Sequence, residues 1–409
     1  PQISFNVLLD SLIQFSELIP YKDEYPAGTN LNITVDGYPT AKFFVNKRFI
    51  LGDLHLWKGN YNQAAIYYRQ VMETGTVGVV NGSYYSLYKL GWDNNGDIDH
   101  YIQYTRPGDA STLVTRTQWR IMFEQAMNTE GFRREWVWAL PFDNKFKPDN
   151  SLVELFSPIG GKYLVKPSQE AIDLWENEQQ RTNTSAPQIP GMPYDARGLL
   201  SWQMIGGVPV AMKYLYNYID YHTRVPFNPL VKNGKWFLYR QTHLHLRFAE
   251  AANRVGQHRL AWAFFNHGLT ATYPAPSTDV TNFMNTLNLP YPYNFDARVS
   301  PGASGPFYRA DWYRNIGIRA RANLINMPVT SPADSLIQIE NGLLKEGALE
   351  NAFEGTRWPD LMRMAMRRND PSVLADRVFE KLRKEGDPMA ATTRAKLMNP
   401  ANWYLPLKW

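Results

Sequence analysis

Two stretches about two hundred residues apart share one design, and that repetition limits the possible folds more than any other feature of the chain. In the first, Val45, Phe49, Gly52 and Leu56 follow one another at spacings of four, three and four, which lines them along one seam of a helix. Thr40 stands where a cap for that helix is expected. Gly59-Asn60 breaks it, and Ala64, Ala65, Tyr68, Val71 and Met72 continue on a second helix. In the other stretch Leu246, Ala249, Ala251 and Arg254 precede Gly256, and Ala261 follows it. The offsets coincide, because Gly59 to Ala64 and Gly256 to Ala261 are both five apart, and Gly52 and Ala249 each stand seven before their glycine. Small residues at Gly52 and Ala64 let paired helices nest.

The run Gly59-x-Tyr61-x-x-Ala64 resembles the middle of a tetratricopeptide repeat, whose unit is two antiparallel helices. Other helices are expected at residues 1 to 20, from Val7, Leu8, Ile13, Phe15, Leu18 and Ile19, and over about 335–385. Within the latter, Gly347 to Met366 reads as a helix, a tight corner and a second helix. Glu350, Phe353 and Arg357 would share a face, Gly355 would let two backbones approach, and Phe353 and Trp358 would staple the corner. Pro359 and Asp360 suit the start of the second helix, and Arg363, Arg367 and Arg368 suit its end.

The segments between are of another kind. EWVWALPFD, Glu135 to Asp143, is a short buried strand by its apolar run, and residues 181–210 read as Pro- and Gly-rich loop. Residues 268 to 315 carry nine aromatics among Pro, Gly and Asn, which argues for a shaped, functional loop.

ENAFEGTRWPDLMR, at 350–363, closely resembles the E-x-x-F-E-G-x-R-W-x-D-L-x-R signature of the SusD/RagB family, outer-membrane nutrient-binding lipoproteins of Bacteroidetes. Tyr239 to Ala261 resembles a second family signature, Tyr194-Asp195-Ala196-Arg197 its D-P-R turn, and Arg319-Ala320-Arg321-Ala322-Asn323 its R-x-R-A-G stretch. Asn402 to Pro406 resembles its closing strand. Two departures stand out: Glu346-Gly347 replaces the usual Glu-Arg pair, and Pro359 stands where an aromatic is common.

The resemblance implies a mainly α, SusD-like fold with TPR-like helix pairs at about 41–75 and 239–266, long irregular loop regions and a few short strands. It implies one domain over 1–409, with irregular ligand-face segments at about 76–235 and 268–315. It further implies capture of oligosaccharides for a SusC/RagA-like TonB-dependent transporter, at the cell surface of the outer membrane, through an N-terminal lipid carried by a portion missing from this sequence. Oligopeptide capture, as in RagB-like members, and an intracellular TPR scaffold that binds peptide tails are the alternatives.

Composition excludes several other classes. The net charge is +5, but basic residues are spread along the chain with acids between them, without the stripe or module that nucleic acid requires. There is no cysteine, hence no disulfide, thiolate nucleophile or Cys-ligated metal. No run approaches the roughly 18 to 20 apolar residues of a membrane span.

His243 and His245 lie two apart, so on a helix their rings point to opposite sides and no metal site is expected. Asp93, Asn95, Asp97 and Asp99 alternate oxygen ligands in a loop; calcium is conceivable there, a solvated turn the simpler account, and otherwise no cofactor is expected. Glu346, Glu350 and Glu354, at i, i+4 and i+8, cannot straddle a sugar ring, since paired catalytic carboxylates face each other across roughly 5 to 9.5 Å. Pairing with Arg357 or capping of the next helix is the structural expectation. No serine elbow, phosphate loop or dinucleotide fingerprint occurs, so no catalytic residue is expected.

Aromatics remain, 14% of the chain, and sugar rings stack on them while their hydroxyls seek planar donors and acceptors. The candidate ligand contacts are Trp92, Tyr194, Asp195, Arg197, Trp202, Tyr293, Trp312 and Tyr313.

Overall fold

A computed structural model describes residues 3–20, 30, 34–35, 38–39, 46–72, 123, 136–142, 149–181, 190–227, 234–273, 289–295 and 317–404. The architecture is mainly α, with two-stranded ribbons as its only sheets among the described residues. Helix α1 (Phe5–Glu17) is capped by Ser4 and buries only Leu9 and Ser16. It lies on α2 (Lys47–Lys58), with Phe5 edge-on to Trp57 and Lys47 Nζ donating to the carbonyl of Ile19. A two-residue ribbon, β1 (Thr34–Val35) with β2 (Tyr38–Pro39), precedes α2. The cap of α2 is Asn46, whose side chain accepts from Phe49 N; Thr40 lies outside the described residues.

Helix α3 (Tyr61–Met72) folds back on α2. Gly52 sits against the Tyr68 ring so closely that a Cβ there would be 2.5 Å from Cε1. Tyr68 OH then donates to Asp53 at 2.7 Å, so the small residue and the hydroxyl fix the crossing together. The second pair is α7 (Gln241–Arg254) and α8 (His258–Phe265), packed on α3. Every residue of α7 from Gln241 to Asn253 is buried, which makes it the central helix. The main core joins Phe49, Leu56, Tyr68 and Val71 to Leu244, Phe248, Ala252 and Phe264.

A seven-residue strand, β3 (Trp136–Phe142), pairs antiparallel with β8 (Gly234–Arg240), which runs directly into α7. The ribbon places Ala139 opposite Phe237 on its buried face and Leu140 opposite Trp236 on its exposed one. Between them lie α4 (Ser151–Phe156), α5 (Gln169–Glu176), β4 (Gln179–Arg181) paired with β5 (Pro190–Pro193), α6 (Ala196–Ser201), and the hairpin β6 (Trp202–Ile205) to β7 (Val208–Ala211). The expectation of loop over 181–210 is thus corrected among the described residues there. Asp195 accepts from Arg197 N to cap α6, and Gly206-Gly207 makes a two-residue turn that matches strand twist. These elements enclose a second core around Leu200, Val210, Leu215 and Phe237.

Past α9 (Leu269–Thr272) and α10 (Ile318–Arg321), the C-terminal signature forms α11 (Ser335–Glu350), α12 (Arg357–Arg368), α13 (Ser372–Lys384) and α14 (Ala390–Leu397). The corner differs from expectation. Phe353 adopts φ +66° and is not helical, so Glu350, Phe353 and Arg357 do not share one helical face. Phe353 packs on Phe156 and Trp175, whereas Trp358 Nε1 reaches the carbonyl of Trp403, and no staple joins them. Gly355 meets no neighbour at its Cβ position; its φ of +84° is what selects glycine. Pro359 is the third residue of α12, where no intrahelical acceptor is lost. Residues 400–403 form a 3-10 turn, with no closing strand among the described residues.

Gly52→Ala should destabilise the protein by about 1–3 kcal/mol, because Tyr68 must leave its bond to Asp53 to make room. Urea unfolding measures it, and an unchanged midpoint would show that the ring swings aside freely.

Candidate functional site

The last two turns of α11 end on Glu346 and Glu350, and Glu354 follows in the corner. Acidic groups at a helix C-terminus face the negative end of the macrodipole and carbonyls without intrahelical donors, so this is where cations must gather. They do. Arg197 Nη1, from α6, donates to Glu346 Oε1 at 2.7 Å and Glu350 Oε2 at 2.8 Å, while Nε and Nη2 clasp Asp195 at 3.0 and 2.7 Å. Arg319 and Arg321 of α10 donate to Glu346 Oε2 at 3.1 Å and Glu350 Oε1 at 2.5 Å. Arg240, at the end of β8, holds Glu354 through Nε and Nη2 at 2.8 and 2.7 Å. Lys213 Nζ bridges Glu354 Oε1 at 2.8 Å and the Glu350 carbonyl at 2.6 Å. Arg319 also reaches Glu178, which Lys345 approaches from the rim.

Charge balances within this hub, since Arg197, Lys213, Arg240, Arg319 and Arg321 face Glu178, Asp195, Glu346, Glu350 and Glu354. None of them is more than 4% exposed, so the balance is a condition of folding. Burial pushes the Glu350 carboxyl up, but Arg321, Arg240 and Arg197 outweigh it and hold the pKa at about 2. Burial also raises Glu354, and Arg240 and Lys213 bring it to about 2. Glu346 ends raised, because burial there exceeds the pull of Arg197 and Arg319. Burial lowers Lys213 to about 8, against the attraction of Glu354. The pairing with Arg357 expected from sequence is replaced by these partners; Arg357 Nη1 instead donates to the Leu344 carbonyl.

Asp195 and Arg197 are fully enclosed in the hub, with their polar atoms committed to each other and to α11, so neither offers anything to a ligand. Tyr194, 6% exposed, precedes them in the same buried turn. Tyr293 is 3% exposed; its OH donates to Asn62 in α3 at 2.7 Å and its ring packs near Phe248. These four are framework, corrected by burial. Tyr293 belongs to the main core, and Ala196 and Leu200 to the second. Trp202 is half-buried at the start of β6, and Met204, 45% exposed, shares its face of the hairpin. Trp92, Trp312 and Tyr313, and the calcium candidates Asp93, Asn95, Asp97 and Asp99, lie outside the described residues.

Sequence inspection missed Lys213 and Glu178 altogether, and gave Arg240, which lies inside the second signature, no role of its own. The one available signal was the acidic i, i+4, i+8 face, which demands cations but does not say which. His243 and His245 do lie on a helix.

No protein-family profile matches the chain, and no curated protein does. Among solved structures it is similar to a SusD-like carbohydrate-binding protein from Bacteroides fragilis, with 14% identity, a TM-score of 0.44, and coverage of 91% of this chain and 60% of that one. A SusD superfamily protein from Bacteroides vulgatus gives 13%, 0.46, 95% and 60%. Surface glycan-binding protein A from Bacteroides uniformis gives 14%, 0.41, 90% and 58%. All of these structure neighbours come from Bacteroides, and the first two are SusD-like by description. The chain spans about 60% of the length of these proteins.

Glu350→Gln should cost about 3–5 kcal/mol, because Arg321, Arg240 and Arg197 then share a buried charge with no counterpart. A loss under about 1 kcal/mol in urea unfolding would show that the hub relaxes or hydrates. The pH dependence has a definite sign. Glu350 and Glu354 titrate near 2 in the folded state against an ordinary 4.5, so their contribution is complete above about 5 and lost as pH falls toward 2. His243, lowered by burial to about 4 from 6.5, adds a loss between those values, and Glu346 offsets part of both. Unfolding midpoints should therefore decline from about pH 6.5 downward; a flat profile to pH 3 contradicts the assignment.

Proposed function

We propose that the protein is a cell-surface binder that captures oligosaccharides and passes them to a SusC/RagA-like TonB-dependent transporter, tethered to the outer membrane by an N-terminal lipid. The observation that carries this is the hub. Four segments chosen for their resemblance to SusD/RagB motifs, at Asp195-Arg197, Arg240, Arg319-Arg321 and Glu350-Glu354, converge on one buried ionic network. Motifs matched by accident have no reason to meet. The carbohydrate class follows from the same resemblance, as does delivery to the transporter. Among the described residues no helix is long and apolar enough to cross a membrane.

Binding without bond cleavage is the mechanism proposed. The three carboxylates that could suggest a glycosidase are each buried and held by cations, whereas a general acid must face substrate from an open pocket with its proton available. A ligand would instead stack on exposed aromatics. Trp202 is the one candidate contact that the described residues leave partly open, with Met204 beside it on a hairpin rigidly joined to the second core.

Calorimetry against an oligosaccharide panel tests the proposal, with oligopeptides as the competing class. Trp202→Ala should weaken binding about five- to tenfold, and Trp312→Ala likewise, with the fold retained. Parent-like affinity in both variants would remove these rings from the site, and turnover of any glycan in the panel would make the protein an enzyme.

A further inference from the structure

Helices α7, α11 and α12 line a second space, a half-open pocket with room of about 20 Å³, enough for one water molecule or one small ion. His243 and Arg363 both line it, and each has a donor without a partner. His243 Nδ1 accepts from the Arg240 backbone N–H at 2.9 Å, which leaves the ring proton on Nε2. That Nε2 stands 3.7 Å from Glu354 Oε2, beyond hydrogen-bonding reach, and has no partner among the described residues. Arg363 commits Nε and Nη2 to Glu250 and Asp360, and its Nη1 likewise has no partner. Both residues are only 2% exposed, so bulk solvent does not satisfy these groups.

The charge lining the cavity points the same way. Both oxygens of Glu250 are taken by Arg363, which also occupies Oδ1 of Asp360. Arg357, on the same wall, gives one N–H to the Leu344 carbonyl, and among the described residues no carboxylate forms an ion pair with it. Burial and the neighbouring Arg377 lower its pKa to about 10, against the pull of Asp360. A water molecule could accept from both donors but would leave the charge of Arg357 unanswered. We propose that this cavity binds a small monovalent anion, chloride in size and charge, held by His243 Nε2 and Arg363 Nη1 and balanced by Arg357. The anion would tie the first turn of α7 to the second helix of the C-terminal signature.

Crystals of the chain soaked in bromide should show an anomalous scatterer within hydrogen-bonding distance of both donors. In solution the melting temperature should rise by about 1–2 °C when gluconate is replaced by chloride at constant ionic strength, and His243→Phe should abolish that rise. Arg357→Met, at a half-buried position on the wall, serves if His243→Phe does not fold. An ordered water at the site with no bromide signal overturns the proposal. A chloride effect that survives unchanged in the variant is a general salt effect and overturns it as well.

Discussion

The carboxylates of Glu346, Glu350 and Glu354 are the constraint on which the rest of the structure depends. A helix that ends inside a protein on acidic side chains has both its dipole and its free carbonyls working against burial. The fold answers by bringing cations from α6, β8, α10 and the segment after β7 to one point, and Lys213 and Arg240 serve carboxylate and carbonyl at once. Such a network need not be more stable than an apolar core of the same volume, yet loss of any one member strands a charge. It therefore specifies the arrangement more strongly than it stabilises it.

The same logic runs along α7. Arg240, Arg247, Glu250 and Arg254 stand at spacings of seven, three and four, close to one face of the helix and its entry. Each pairs with a different element: Arg240 with the corner after α11, Arg247 with Asp53 of α2, Glu250 with Arg363 of α12, and Arg254 with Glu340 of α11. A helix buried on all sides normally reads as apolar throughout, whereas α7 is threaded with charges that address its neighbours individually. That explains how a helix with three charged residues along one stripe, and a fourth at its N-cap, can sit at the centre of the molecule.

For function, the consequence is a division of the surface. Residues that looked suited to a sugar because they combine Asp, Arg and Tyr in a loop are the ones the framework consumes, as with Tyr194, Asp195 and Arg197. Among the described candidate contacts, Trp202 on its hairpin is the ring that the framework leaves partly open, and the proposed ligand contact rests on it.

The sequence by itself determined the helix pairs. The spacing of Phe49, Gly52 and Leu56, and of Ala64 and Tyr68, is a local pattern that repeats within a turn or two, and all five residues are buried where it placed them. It also showed three acids on one side of the C-terminal signature, and so a demand for cations. Only the tertiary structure decided which cations those are. Arg197 meets Glu346 and Glu350 across separations of 149 and 153 residues, and that meeting depends on the packing of every element between them. Residue type carries no record of burial, so Asp195 and Arg197 read the same in a solvated turn as in a sealed hub. Helical periodicity is fixed by neighbours a few residues away, whereas the partners of a buried charge are fixed by the whole fold.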